Sequence, residues 1–343
     1  MQNKIKIGIN GFGRIGRQAF KIALDKPEIE IVAINDLTSP ASLAHLLKYD
    51  SNYGKFDHTI ESNETHLIVN GKSYLVTAEK DPAALPWGKL GVDVVIESTG
   101  RFTSGEKASG HLAAGAKRVI ISAPAKDEGI TKTYVLGVNE DAYTDEAIIS
   151  NASCTTNCIA PVAAVMQAKF GIEKAMMTTI HSYTAEQNLV DGPPPGGHSE
   201  DFRRARAAAV NIVPTTTGAA ISATETIPEL KGLFDGMAIR VPTPVGSLTD
   251  FTMLLKKDVT VEDVNQAFID ATTHPLYKGV LVVTDEQLVS SDIVGNPASA
   301  IVDLSLTKVT AGNFVKVIAW YDNEFGYSNR LIEQAILVGQ TIK

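Results

Sequence analysis

The feature that most limits how this chain can fold is the run Gly11-Phe12-Gly13-Arg14-Ile15-Gly16 near its start. It follows residues 4–10, which alternate polar and apolar, and precedes a helix-like stretch over residues 17–25. A β-branched segment, residues 30–35, comes next and leads into Asp36, twenty residues after Gly16 (36 − 16). Strand, glycine turn, helix and strand in that order form a βαβ unit, the opening of a parallel sheet. In such a turn the first glycine makes it tight and the second lets the backbone approach a pyrophosphate. The third lets helix and strand pack closely. The N–H groups at the helix start, among them those of Arg14 and Ile15, suit a phosphate, and the carboxylate of Asp36 suits the hydroxyls of a ribose. A glycine turn alone is a weak signal. With strand, helix and carboxylate in their required places it becomes a dinucleotide fingerprint.

The alternation of strand and helix continues through the first half. Residues 41–49 have helical spacing, and two short strands flank Asn70-Gly71. Residues 92–97 and 118–122 are short apolar runs suited to buried parallel strands, with a crossover helix predicted over 105–114. From about Glu173 the strands lengthen, over 174–183, 237–242, 247–257 and 314–321, with fewer helices between them. That pattern predicts a mostly antiparallel sheet. The proline- and glycine-rich residues 192–198 must form a loop. The 343 residues, 44 % of them hydrophobic, supply core enough for two domains. The expectation is an α/β chain. A dinucleotide-binding, Rossmann-type parallel-sheet domain occupies residues 1–153, and an α+β catalytic domain with a mostly antiparallel sheet occupies 154–323. A C-terminal helix, about residues 324–343, is expected to pack with the first domain.

Charge and cysteine content exclude several function classes. The net charge of −8 provides no global field drawing the chain to nucleic acid or an anionic membrane. An anionic substrate would need local arginines. Cys154 and Cys158 are the only cysteines, so no disulfide framework exists, and their spacing fits neither a redox C-x-x-C pair nor, alone, a zinc site. No metal is expected. With no secretory segment before the first strand and no apolar run of membrane-spanning length, a soluble cytoplasmic protein is expected.

Ser153-Cys154-Thr155-Thr156-Asn157-Cys158 immediately precedes an apolar helical run, residues 159–170. Ser153 is a good N-cap, which would place Cys154 in the first helical turn. There the exposed N–H groups and the helix dipole lower a thiol pKa. Cys158, one turn further on, is expected to be buried and inert. Free cysteines are most often small core residues, and the helix start sets Cys154 apart. A thiolate nucleophile wants a base. Of seven histidines, His181 alone sits among hydroxyl residues at the end of a predicted interior strand, where, read by itself, a purely structural role is the commoner one. His45, His58, His66, His111, His198 and His274 lie in helical, turn or surface-like contexts. Arg203, Arg204 and Arg206 read alone as a solvated basic face. Arg240, within Ile239-Arg240-Val241-Pro242 on an apolar strand, does not, because an unpaired buried charge is costly.

The run Ala152-Ser153-Cys154-Thr155-Thr156-Asn157 resembles the active-site signature of phosphorylating glyceraldehyde-3-phosphate dehydrogenases. The resemblance extends from Ile9-Asn10-Gly11 to Trp320-Tyr321-Asp322-Asn323-Glu324, essentially the whole chain. It implies a cytoplasmic, homotetrameric, glycolytic enzyme. The reaction would convert D-glyceraldehyde 3-phosphate to 1,3-bisphosphoglycerate with NAD and inorganic phosphate, through a cysteine thioester. Cys154 then matches the nucleophile and His181 its base. Asn10, Gly11, Gly13, Arg14, Ile15, Gly16, Asp36, Ser122, Asn323 and Tyr327 match NAD contacts, Asn323 orienting the nicotinamide carboxamide. Thr184 and Arg240 match groups holding the substrate's own phosphate. Ser153, Thr155, Thr156, Thr217, Gly218 and Arg204 match a second anion site, where inorganic phosphate enters.

The sequence departs from the family pattern at Ala185-Glu186, where Asn-Asp is frequent, at Ile221, which replaces a lysine, and in a lengthened 192–198 loop. The loop is expected to tune assembly or cofactor access rather than chemistry. Another phospho-aldehyde dehydrogenase on the same fold, such as one for erythrose 4-phosphate, is an alternative. So is an RNA-binding or regulatory protein that uses the dinucleotide crevice. The latter predicts decay of the chemical residues, yet Cys154, His181, Arg240 and Asn323 all remain.

Overall fold

The computed structural model describes residues 4–127, 129–195 and 200–342. The chain forms two compact units. One runs to Tyr134 and takes in Asp141–Ser153 and the chain from Ser328 onward; the other consists of Val135–Glu140 and Cys154–Tyr327. Among the described residues no helix is long and apolar enough to cross a membrane.

The first unit is built on an eight-stranded sheet. Its strands lie in the spatial order Ile148–Ser150, Arg118–Ile121, Val94–Glu97, Ile5–Asn10, Ile29–Asn35, Lys72–Thr77, His66–Val69 and Ile60–Ser62. The first six are mutually parallel, and the last two add an antiparallel meander. Numbered along the chain, the parallel strands stand 3-2-1-4-5-6, the doubly wound Rossmann order. The order reverses between Ile5–Asn10 and Val94–Glu97, and ligands of such sheets bind beyond the carboxyl ends of the strands at that point. The expected hairpin turns at Asn70 and Gly71, with φ of +50° and +78°, as a type I′ turn demands.

Two helices differ from expectation. The first spans Arg14–Leu24 and starts three residues earlier, because Gly13 is its N-cap and accepts the Arg17 N–H at 3.1 Å. Arg14, Ile15 and Gly16 are therefore its first turn. The crossover predicted over 105–114 is two single turns, Gly105–Ala108 and Gly110–Ala113. Glycine is a poor helix former, and Gly110 lies so close to the neighbouring turn that a Cβ there would sit 3.1 Å from Pro82 Cβ.

The second unit carries another eight-stranded sheet, and five of its seven pairings are antiparallel. Strand Ser247–Leu255 alternates buried and half-buried residues throughout, the pattern of a sheet with one packed face. Helix Cys154–Phe170 packs on that sheet, with Ala219–Thr226 and Val261–Thr273 against it. On the opposite face Met176 is 61 % exposed and Met237 41 %. Two parallel pairings break the antiparallel pattern, Ile172–Ser182 with Phe234–Val241 and Leu281–Thr284 with Ala300–Asp303. Residues 192–195 have no regular structure, as expected of a loop; residues 196–198 lie outside the described residues.

Candidate active site

In the first unit the three glycines meet distinct steric demands. Gly11 has φ of +92°, and a Cβ on it would sit 2.7 Å from the Thr99 backbone nitrogen. A Cβ on Gly16 would sit 2.0 Å from the Gly11 carbonyl oxygen. Around Gly13 nothing lies within 4 Å of such a Cβ. The outer two glycines serve the fold, and the middle one keeps a cradle open at a helix N-terminus, where an anion fits. A dinucleotide pyrophosphate suits it. Gly16→Ala is expected to destabilise the apoprotein by about 2 kcal/mol or more, since backbone must move. Gly13→Ala should leave the urea midpoint unchanged and weaken NAD binding about tenfold, by occupying the cradle. Equal losses of stability in the two variants would refute this division of roles.

Asp36 is held by backbone: Oδ2 accepts from Phe12 N–H at 2.8 Å and Oδ1 from Thr38 N–H at 2.9 Å. It therefore does cap the turn after its strand. Each carboxylate oxygen has two lone-pair sites, so capacity remains for ribose hydroxyls. The Arg14 guanidinium pairs with Asp50 at 2.8 Å, directing that side chain to Asp50. Ser122, just beyond its strand, donates its N–H to the Glu97 carbonyl at 2.9 Å.

The sequence left one cluster in this unit unread. His111, assigned above to an ordinary helical or surface-like context, is completely buried. Its Nδ1 accepts from Trp87 Nε1 at 2.9 Å, so the proton sits on Nε2, which faces Glu97 Oε2 at 3.0 Å. Glu97 also accepts from Asn10 Nδ2 at 2.5 Å and from the Thr99 N–H at 2.8 Å. Asn10 in turn accepts from Asn35 Nδ2 at 2.7 Å. The available signal was a glutamate closing an otherwise apolar strand, which requires buried donors.

In the second unit, Cys154 is the first residue of helix Cys154–Phe170, and its Sγ lies 3.4 Å from His181 Nε2. The ring orientation is set from behind. His181 Nδ1 lies 2.6 Å from the Ser182 carbonyl oxygen and 3.0 Å from Arg240 Nη1. The shorter nitrogen–oxygen contact requires a proton between the two, which assigns the proton to Nδ1 and leaves the Nε2 lone pair facing the thiol. The parallel register places Arg240 directly beside His181. Arg240 Nη1 donates to the Ser182 carbonyl at 3.0 Å and to Thr184 Oγ1 at 3.4 Å. Among the described residues its buried Nε has no hydrogen-bond partner, an unfilled donor of the kind an anion completes. Tyr321 ties helix to sheet, its hydroxyl 2.8 Å from both Thr155 Oγ1 and Thr179 Oγ1.

Burial pushes the Cys154 thiol up and the His181 ring down, while the Arg240 guanidinium lowers both. The lowered thiol expected from the helix start alone is thus reversed. Desolvation by the surrounding elements acts against the local N–H groups and the arginine at the thiol. Cys158 is fully buried, with its thiol raised further by burial.

The other anion-site candidates separate. Thr155 and Thr156 are buried, and the Thr155 hydroxyl engages Tyr321. Gly218 caps helix Ala219–Thr226, and a Cβ on it would meet nothing within 4 Å. Thr217 Oγ1 accepts the Ala219 N–H at 3.2 Å. Arg204 is no part of a solvated basic face: it is 5 % exposed, with ion pairs to Glu186 at 2.6 Å and Asp201 at 3.0 Å. Asn323 Oδ1 accepts from Gly246 N–H at 3.1 Å and Ser247 Oγ at 3.0 Å, which fixes the amide and turns its NH₂ away from that turn. Tyr327 is buried. Among the described residues no group of three or more His, Cys, Asp or Glu could hold a metal ion.

Residues 5–105 match the family model of the glyceraldehyde 3-phosphate dehydrogenase NAD binding domain, and residues 153–323 that of the C-terminal domain. The chain is 54 % identical over 336 residues to a glyceraldehyde-3-phosphate dehydrogenase of Geobacillus stearothermophilus, covering 97 % of this chain and 98 % of that one. It is 56 % identical over 333 residues to one of Priestia megaterium, covering 96 % and 97 %. It is 54 % identical over 338 residues to glyceraldehyde-3-phosphate dehydrogenase 1 of Bacillus subtilis, covering 98 % of each.

Proposed function

The chain belongs to the glyceraldehyde 3-phosphate dehydrogenase family, and from that premise we propose how its residues divide the work of an NAD-dependent, glycolytic oxidation of glyceraldehyde 3-phosphate. The carrying observation is the Cys154 thiol facing the unprotonated Nε2 of His181 at 3.4 Å, beside an arginine whose Nε is unfilled. Cys154 Sγ attacks the aldehyde carbon while its proton passes to His181, giving a hemithioacetal. His181 hands that proton to the former carbonyl oxygen, making the hemithioacetal hydroxyl, and takes it back as hydride leaves the same carbon. Bound NAD supplies the hydride acceptor. An oxygen of inorganic phosphate next attacks the thioester carbonyl, the C–S bond breaks, and Cys154 leaves as thiolate with an acyl phosphate as product.

Arg240 and Thr184 hold the substrate phosphate in this reading. Arg204, Thr217, Gly218, Thr156 and Ser153 surround the incoming phosphate, Thr155 contributing through its tie to Tyr321. Asn323 and Tyr327 serve the nicotinamide. Asn10, the glycine turn with Arg14 and Ile15, Asp36 and Ser122 hold the rest of NAD. The first unit is then the cofactor domain and the second the catalytic domain.

NADH absorbance tests the scheme. Without phosphate the enzyme should release about one NADH per site and then nearly stop, and phosphate should restore turnover. Sustained turnover without phosphate would overturn the phosphorylating assignment. A kcat/KM for erythrose 4-phosphate above that for glyceraldehyde 3-phosphate would favour the other phospho-aldehyde.

Assembly into a homotetramer is supported by the exposed Met176 and Met237 on one sheet face and by exposed Leu189, Val190, Phe202 and Ile212. A light-scattering mass of one chain in dilute solution would refute it. Two unpaired thiols suit a reducing cytoplasm.

A further inference from the structure

The two arginines of the second unit stand in opposite electrostatic conditions. Among the described residues Arg240 makes no ion pair to a carboxylate, and its Nε has no hydrogen-bond partner. Arg204 is gripped by two carboxylates, and they differ in exposure. Asp201 is built into the scaffold: its Oδ2 accepts from Thr215 Oγ1 at 2.6 Å and its Oδ1 from the Arg203 N–H at 3.1 Å. Glu186 is a loop residue with a side chain 54 % exposed, yet its Oε2 reaches Arg204 Nη1 at 2.6 Å. Arg240 senses both Arg204 and Glu186, so these charges act on one another. Two guanidiniums against two carboxylates leave no net positive charge to attract a phosphate dianion.

We propose that Glu186 competes with inorganic phosphate for the Nη1 edge of Arg204, and so sets the phosphate affinity of this enzyme. This rests on the phosphorylating reading above. Phosphate arriving at Arg204 meets an anion already in hydrogen-bond contact with the same N–H. It must displace that carboxylate or sit beside it, and either weakens binding. Asp201, locked by Thr215 and backbone, stays in place and keeps the guanidinium aimed. Glu186, its side chain 54 % exposed, is the carboxylate with solvent to move into.

The test compares the wild type with Glu186→Gln and Glu186→Ala, both exposed changes, in steady-state assays varying phosphate. Both variants are expected to lower KM for phosphate roughly threefold to fivefold, the range of a half-exposed ion pair. The Kd for NAD and the KM for glyceraldehyde 3-phosphate should stay within about twofold. An unchanged or raised KM for phosphate in both variants would overturn the proposal, showing that Glu186 merely supports Arg204. A fall in KM for the aldehyde without one for phosphate would also overturn it, by assigning Arg204 to the other anion. Failure of the underlying reading is separately visible, because a wild type that turns over without phosphate betrays it before any variant is made.

Discussion

Cys154→Ser is expected to lower NADH formation by about ten-thousandfold or more while leaving NAD affinity within about twofold of wild type. A serine hydroxyl has no usable ionised fraction near neutral pH and is a far weaker nucleophile than sulfur even with a base at hand. The base is at hand here. His181 Nε2 lies 3.4 Å from Sγ, and its lone pair is directed there because Nδ1–H is committed to the Ser182 carbonyl. Fluorescence titration with NAD and a stopped-flow assay measure the two quantities separately. Turnover comparable to wild type would remove Cys154 from the mechanism. His181→Asn should keep the thiol but slow its acylation by about a hundredfold to ten-thousandfold, since it removes the proton acceptor. Cys158→Ser provides the contrast, because that residue is fully buried and its loss acts through packing.

A preference for NAD over NADP by about a hundredfold or more in kcat/KM is the second large effect expected. Asp36 cannot turn aside from a 2′-phosphate, because the Phe12 and Thr38 N–H groups hold its two oxygens. A phosphate there would set about two negative charges against a fixed third, worth several kcal/mol at an intermediate effective dielectric. Leu37 follows as an exposed apolar residue where a cation would be needed to accept the phosphate. Asp36→Gly should narrow the gap, chiefly by weakening NAD and removing repulsion. It should also loosen the turn, since two backbone donors lose their acceptor. Near-equal kcat/KM values for the two cofactors in the wild type would show that the carboxylate only caps its turn.

How far the sequence could be read follows from where each property has its cause. The parallel character of the first sheet was legible because short apolar strands alternate with helical crossovers, whereas the order of its strands came only from the fold. The second sheet's mostly antiparallel character followed from the length and alternation of its strands. Its two parallel pairings did not, because nothing in the alternation of residues 172–182 specifies the direction of a neighbour. The break in the 105–114 crossover and the early start of the first helix are boundary effects, set by one close approach at Gly110 and one cap at Gly13.

Taken alone, the sequence determined what is local: the glycine turn, in which a Cβ on Gly16 would strike the Gly11 carbonyl, the acidic residue closing the second strand, and a cysteine at a helix start. Tertiary structure decided everything that needs a partner far along the chain. Cys154 meets His181 across 27 residues because its helix packs on the sheet, and Arg240 meets His181 across 59 because their two strands run parallel in one register. Burial in that assembly reversed the thiol pKa expected from the helix start, since desolvation depends on every element packed around a group. It also enclosed His111 between Trp87 and Glu97, and placed Glu186 against Arg204. A side chain's type is written in the sequence, but its charge state and its availability to a ligand belong to the neighbours the fold supplies.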